Sequence, residues 1–235
     1  MAEDTSAVDV GRNGARAITS NTRGDRTRDR LLDAVEAIAA DEGIGALSHR
    51  VVARRALLNT GLIHYHFGTI DRVLEEALAR RAARLSRMQL SGLAALLSRN
   101  RWSIEEVVAA LWQPFGSLGG ALDGGWRNYL CLVARLAGDD RSDALLARYF
   151  DDVTRAAQHA LRTLAPDVED DKLRAGLRYI RILFEKEALA RCRKARPAEE
   201  RALLDRQLVA FAAAGLRELI GHAKTPLSTM RASAG

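Results

Sequence analysis

Ala, Leu and Arg dominate this chain, and in segment after segment its apolar residues recur three and four positions apart. That period belongs to helices and not to strands. Aromatic residues make up 5% of the 235 positions and Pro occurs only four times. Strand formers are therefore too few for a sheet, and helix breakers too few to prevent long helices. The expected fold class is all-α. A hydrophobic share of 48% and a charged share of 28% suit a folded globular chain with a substantial core.

Start and stop signals divide the chain. Residues 1–25 show no periodicity and read as a flexible arm. Leu31, Val35, Ile38 and Ala39 then mark a helix from about Thr27 to Asp41, with Gly43 as its stop. Ser48 caps a short helix over His49–Ala56, and Asn59 caps a third over Thr60–His66 that ends at Gly68. Thr69 opens a fourth, whose stripe of Val73, Leu74, Ala77, Leu78, Ala82 and Leu85 runs towards Ser98. Ser103-Ile104-Glu105-Glu106 forms a capping box, with Trp102 and Val107 positioned as a hydrophobic staple. That fifth helix is expected to stop before Pro114 and to give way to a Gly-rich loop reaching Gly125. Further helices are expected over Trp126–Ala137, Asp143–Leu164, Glu169–Lys194 and Pro197–His222, with a flexible tail over 223–235. The resulting division is an arm (1–25), a three-helix domain (26–70), a helical domain (71–222) and the tail.

The formal net charge of +6 invites a nucleic-acid reading. Its distribution does not locate the site, because residues 26–80 balance eight Arg against eight acids. A finer window is informative. From Gly43 to Ile70 there is no acid, while Arg50, Arg54, Arg55, His49, His64 and His66 all fall there.

Three short helices with a tight turn between the second and third are the layout of a helix-turn-helix. On the wheel of the third helix, Ile63 and Phe67 face inward with Leu58, and Gly61, His64 and Tyr65 lie on the opposite arc. Thr60, Gly61 and His64 are the candidate base contacts. Ser48, His49, Arg50, Asn59, Tyr65 and His66 are candidates for the DNA backbone or for supporting the helix that reads it.

Leu47-Ser48, Val52-Ala53, Ala56-Leu57-Leu58-Asn59, Ile63-His64-Tyr65-His66-Phe67 and Leu74 together resemble the TetR family of transcriptional regulators, over about residues 27–80. The resemblance implies three N-terminal DNA-binding helices, a C-terminal ligand-binding and dimerisation domain, and a two-fold four-helix contact through the last two helices. Three positions depart from the family pattern. Leu57 stands for the Gly of the turn, His64 for the first Tyr of the Y-x-H-F ending, and Ile70 for a Lys at the start of the fourth helix. An imidazole at position 64 would make affinity pH-dependent.

The implied partners are a double-stranded DNA operator, a small hydrophobic effector and a second copy of the chain. For the effector, Met88, Trp112, Phe115, Trp126, Tyr129 and Tyr179 are candidate pocket residues, with Arg135 or His159 available to an anionic group. For the dimer, Leu204, Leu208, Phe211, Ala212, Gly215 and Leu219 of the last helix join Leu177, Ile180, Leu183 and Phe184 of the preceding one.

No phosphate loop, zinc-protease, dithiol or serine-hydrolase motif occurs, and His64 and His66 lie about 200° apart on their helix. No catalytic residue, metal site or cofactor is expected. Cys131 and Cys192 are the only cysteines, far apart in sequence, and are expected to stay reduced. The N-terminus has no secretory core and the longest apolar run, Leu208–Leu216, is far short of a membrane span, so a cytoplasmic protein is expected. The function read from these residues is a ligand-responsive, sequence-specific transcriptional regulator, a repressor released by a hydrophobic molecule. The alternative is a helical ligand-binding or scaffold protein that has lost specific DNA binding.

Overall fold

The computed structural model describes residues 11–120, 124–139, 142–194 and 196–221. Among them it is all-helical: α1 (Gly11–Asp41), α2 (His49–Ala56), α3 (Thr60–Phe67), α4 (Ile70–Leu97), α5 (Ile104–Gly120), α6 (Gly124–Ala137), α7 (Asp143–Leu164), α8 (Asp170–Arg193) and α9 (Ala198–Gly221). A single 3-10 turn, Ile44–Ala46, links α1 to α2. The tail 223–235 and residues 1–10 of the expected arm lie outside the described residues.

The N-terminal lobe is built on α1. Leu31, Val35, Ile38 and Ala39 are fully buried and pack with Val52, Ala53 and Ala56 of α2, Ile63 and Phe67 of α3, and Val73, Ala77 and Leu78 of α4. The same cluster continues through Trp126, Tyr129, Leu132 and Leu136 of α6. One apolar surface thus joins the first three helices to the rest of the chain. A second cluster holds α5, α7, α8 and α9 around Trp112, Leu161, Leu173 and Phe184. At the crossing of α8 and α9, a Cβ added to Gly176 would come within 2.5 Å of Leu216 Cδ1. The absent side chain leaves room for Leu216 and Leu219 of α9 against the α8 backbone.

Caps form as the side chains dictate. Ser103 Oγ accepts from Glu106 N–H at 3.2 Å, and Glu106 Oε2 accepts from Ser103 N–H at 2.8 Å, closing the capping box. Thr69 Oγ1 accepts from Arg72 N–H at 3.2 Å.

Three expectations are corrected. Residues 11–25, read as part of an aperiodic arm, form the first turns of α1; no Pro interrupts this stretch, so the helix propagates back from its packed half. α5 does not stop at Pro114 but runs through it to Gly120. The bond lost at the Ala110 carbonyl is local, while Val107, Val108, Leu111, Trp112 and Leu118 bury the helix on both sides of the interruption. Cys131 of α6 and Cys192 of α8, expected as separate thiols, form a disulfide. The fold packs α6 against α8, which the sequence separation of 61 conceals. In the chain-entropy picture, closing a loop of that length stabilises the fold by about 4 kcal/mol.

The junction of α1 with α4 contains a buried carboxylate. Glu36 is 1% exposed, with Arg81 Nε at 3.5 Å and Arg80 Nη1 at 3.6 Å. Burial pushes its pKa up to about 7, against the opposing pull of Arg81 and Arg80, with Asp33 adding a smaller upward push. Because the folded-state pKa lies above the ordinary value of 4.5, the folded chain holds a proton here that the unfolded chain releases between about pH 4.5 and 7. Stability therefore falls as pH rises through that window. Glu36→Gln, which removes the ionisation, is expected to be more stable than the parent at pH 8 by about 1–3 kcal/mol. The advantage should disappear near pH 4.5, and thermal melts at both pH values check it.

Candidate functional site

The turn between α2 and α3 determines where α3 points. Leu57 closes α2 in the left-handed conformation, at φ 53° and ψ 47°. Its N–H returns to Arg54 O at 3.1 Å, and Leu58 N–H returns to Ala53 O at 2.9 Å. This is the geometry for which glycine is preferred, and a leucine there costs about 1–2 kcal/mol. The Leu57 side chain is 84% exposed, so burial offsets none of that strain. Support comes from α1: Arg30 Nη2 donates to the Ala56 carbonyl at 2.6 Å, satisfying the end of α2.

α3 starts at Asn59, whose Oδ1 accepts from Gly61 N–H at 2.8 Å. α2 starts at Ser48, whose Oγ accepts from Val51 N–H at 3.3 Å. Ile63 and Phe67 are buried, and the Arg28 guanidinium lies over the Phe67 ring at 4.7 Å. The outward arc carries Gly61, His64 and Tyr65, all exposed, with Tyr65 at 82%. Thr60 at the N-terminal tip and His66 in the last turn are half-buried. The surface is thus a one-helix edge with a hydroxyl, a bare backbone segment, an imidazole and a phenol.

His49 and His64, from different helices, stack at 4.3 Å with an interplanar angle of 13°. His64 Nδ1 lies 3.1 Å and His49 Nε2 3.3 Å from one acceptor, the carbonyl of Gly68. The sequence wheel missed this pairing, because a wheel describes one helix at a time. In the sequence its only trace is Gly68, the stop of α3, which the structure holds at φ 76°.

The basic groups divide unequally. Arg55 pairs with Asp41, Arg72 with Glu75 and Glu76, and Arg80 with Asp29, Asp33 and Glu36. Arg50 and Arg54 are exposed and enter no ion pair among the described residues. Of the nearby arginines that could supply the charge of the Lys absent at position 70, Arg50 enters no ion pair among the described residues, while Arg55 and Arg72 already face carboxylates.

The six aromatic and Met candidates for an effector do not converge. Trp126 and Tyr129 are buried in the first cluster, where the Tyr129 hydroxyl donates to Leu78 O at 2.8 Å, and Met88 packs against that cluster. Tyr179 is 51% exposed on α8. Trp112 and Phe115 stack together at 5.6 Å. Arg135 donates to the Ala40 carbonyl at 3.1 Å, and His159 is exposed. A cleft of about 630 Å³ opens between α5 and α9 instead, lined by Ala109, Trp112, Ala202 and Val209 together with the charged groups of Glu105, Arg201, Asp205 and Arg206. Asp205 accepts from Trp112 Nε1 and, at 2.6 Å, from Arg191 Nη2. The Arg191 guanidinium also lies 4.9 Å from the Trp112 ring centre. Periodicity could not reveal this cleft, since Asp205 and Trp112 are 93 residues apart.

Residues 109–215 match the family model for the tetracyclin repressor-like C-terminal domain. A TetR-like transcriptional regulator from Rhodococcus sp. RHA1 superposes with a TM-score of 0.55 at 17% identity, covering 80% of this chain and 96% of that one. The similarity to TetR-type regulators is thus one of sequence over residues 109–215 and of overall fold beyond them. A TetR/AcrR-family regulator from Aquifex aeolicus VF5 gives a TM-score of 0.52 at 14% identity, over 82% of this chain and 99% of its own. The multidrug binding protein EbrR, solved with malachite green, gives 0.52 at 21% identity, over 82% and 97%. No curated protein matches the chain. Among the described residues no helix is long and apolar enough to cross a membrane, and no three His, Cys, Asp or Glu side chains are grouped to hold a metal ion.

The strained turn yields a direct expectation. Leu57→Gly should relieve the left-handed strain at a smaller entropic cost and raise stability by about 0.5–1 kcal/mol. A melting temperature unchanged or lowered relative to the parent would show that Leu57 is not strained.

Proposed function

We propose that the chain is a ligand-responsive transcriptional regulator that grips duplex DNA as a homodimer. The observation that carries this reading is the exposed arc of α3, held away from the core by Ile63 and Phe67 and bare of acids. A helix presented this way suits the major groove, with Thr60, Gly61 and His64 towards base edges. Asn59 and Ser48 cap the helix ends nearest the DNA, and His49, Arg50, Tyr65 and His66 flank the groove, where phosphates lie. Selection from random duplexes should return a two-fold symmetric site. Arg50→Ala should weaken all sequences alike and lower the slope of log affinity against log salt by about 1 per subunit. Retention of random duplex with no enriched sequence would support the scaffold alternative.

The second copy would dock on α8 and α9. Leu177, Ile180, Phe184 and Ala212, offered by the sequence for this contact, are committed to the chain's own core. Tyr179, Ile182, Leu203 and Phe211 are instead the large apolar side chains exposed on these helices, with Phe211 at 68%. Two such faces brought together would form a four-helix contact and space the recognition helices for two half-sites. Phe211→Glu is expected to shift sedimentation from dimer to monomer and to reduce operator affinity at least tenfold. A dimer persisting in this variant would move the contact elsewhere.

The effector would be a small apolar molecule in the cleft between α5 and α9, whose size and largely apolar walls suit one. α5 also meets α4, where buried Gln89 donates to Leu111 O at 2.9 Å. α4 begins directly after the Gly68 that holds both histidines. Displacing α5 would thus tilt α4 and misplace α3, which makes this regulator a repressor released by its ligand. Coupling between the two sites is reciprocal. Malachite green, the ligand held by EbrR, serves as a cationic aromatic probe. It should quench tryptophan emission and release DNA, and Ala202→Phe, which fills the cleft, should abolish both effects without altering DNA affinity. Release that survives this filling would exclude the cleft.

A further inference from the structure

Resting on the DNA-binding reading above, we infer that the Gly68 carbonyl sets the tautomer of His64, and that the tautomer sets which bases His64 accepts. A carbonyl oxygen only accepts hydrogen bonds. Each imidazole nitrogen that faces it must therefore carry its proton. His64 Nδ1 lies 3.1 Å and His49 Nε2 3.3 Å from Gly68 O, so neutral His64 is the Nδ1–H form and neutral His49 the Nε2–H form. The stacking of the two rings at 4.3 Å and 13° holds both orientations at once. His49 is a positioning residue here, acting through the ring of His64.

The consequence lies on the far side of the His64 ring. With the proton on Nδ1, Nε2 holds a lone pair and can only accept. No hydrogen bond to it occurs among the described residues, and the side chain stands exposed on the outward arc of α3. In the major groove, adenine offers an N6 amino group and cytosine an N4 amino group, whereas guanine and thymine offer only acceptors at O6, N7 and O4. An accepting Nε2 therefore selects an exocyclic amino group. His64 specifies A or C, and rejects G or T, on one strand at one position of each half-site.

Two measurements on the full-length chain test this. Long-range proton–nitrogen correlation spectra of the labelled imidazoles, recorded at about pH 8 where an ordinary imidazole is neutral, should show His64 with its proton on Nδ1. A His64 proton on Nε2 overturns the inference without touching the DNA-binding reading. Selection from random duplexes at the same pH should show, at two symmetry-related positions, a preference for A or C of roughly three- to tenfold. His64→Ala should erase that preference while leaving the other positions unchanged. His49→Ala should blur it and populate the second His64 tautomer in the spectra, whereas a purely structural role for His49 would leave the tautomer alone. A selected G or T at the position lost in His64→Ala, or a preference that survives the substitution, overturns the base assignment. Failure of the parent chain to retain any duplex instead sinks the DNA-binding reading, and the base assignment with it.

Discussion

Leu31, Val35 and Ile38 form one fully buried stripe on α1, and the rest of the molecule is arranged around that stripe. On one side it packs against α2 and α3, on another against α4, and along its length against α6. Burial of three such side chains contributes several kcal/mol, and the recognition helix is tied to this core through α2 and α4, with Ile63 and Phe67 in the same cluster. Within this contact sits Glu36, a carboxylate that hydration would otherwise favour. Its raised pKa records how dry the junction between the two lobes is.

From that anchored helix the site follows by short-range geometry. Arg30 of α1 reaches the end of α2, and Leu57 accepts a left-handed backbone that turns α3 outward. Gly68 then ends α3 in a conformation that presents its carbonyl to two imidazoles from different helices. The strain at Leu57 is tolerated because core packing on both sides of the turn determines the path of the chain. The unneutralised cation Arg50 lies at the α2 end of this surface, whereas Arg55 and Arg72 are spent on neighbouring carboxylates. An even balance of charge over residues 26–80 therefore hides a local imbalance on one face.

The short helices were legible because their ends carry their own chemistry. Ser48, Asn59, Thr69 and the Ser103–Glu106 box each satisfy backbone N–H groups within three residues, so the sequence holds the whole interaction. Pro114 misled because its penalty is local and the burial that outweighs it comes from other helices. The disulfide, the cleft at Trp112 and Asp205, and the exposure of Tyr179 were beyond reading for the same reason. Each depends on which helices meet, across 61 residues for the two cysteines and 93 for Trp112 and Asp205.

The all-helical class, the caps and the apolar face of α3 can be read from residue order, because they depend on residues within one or two turns of each other. Tertiary structure alone decided the partner of each face. Leu177, Ile180 and Phe184 are buried in the chain's own core and Phe211 is left outside, although all four share the same apolar character. It also decided that two histidines 15 positions apart share one carbonyl. Hydrophobicity has no direction, so a stripe of apolar residues states that burial will occur and not against what. Packing of complete helices supplies that answer.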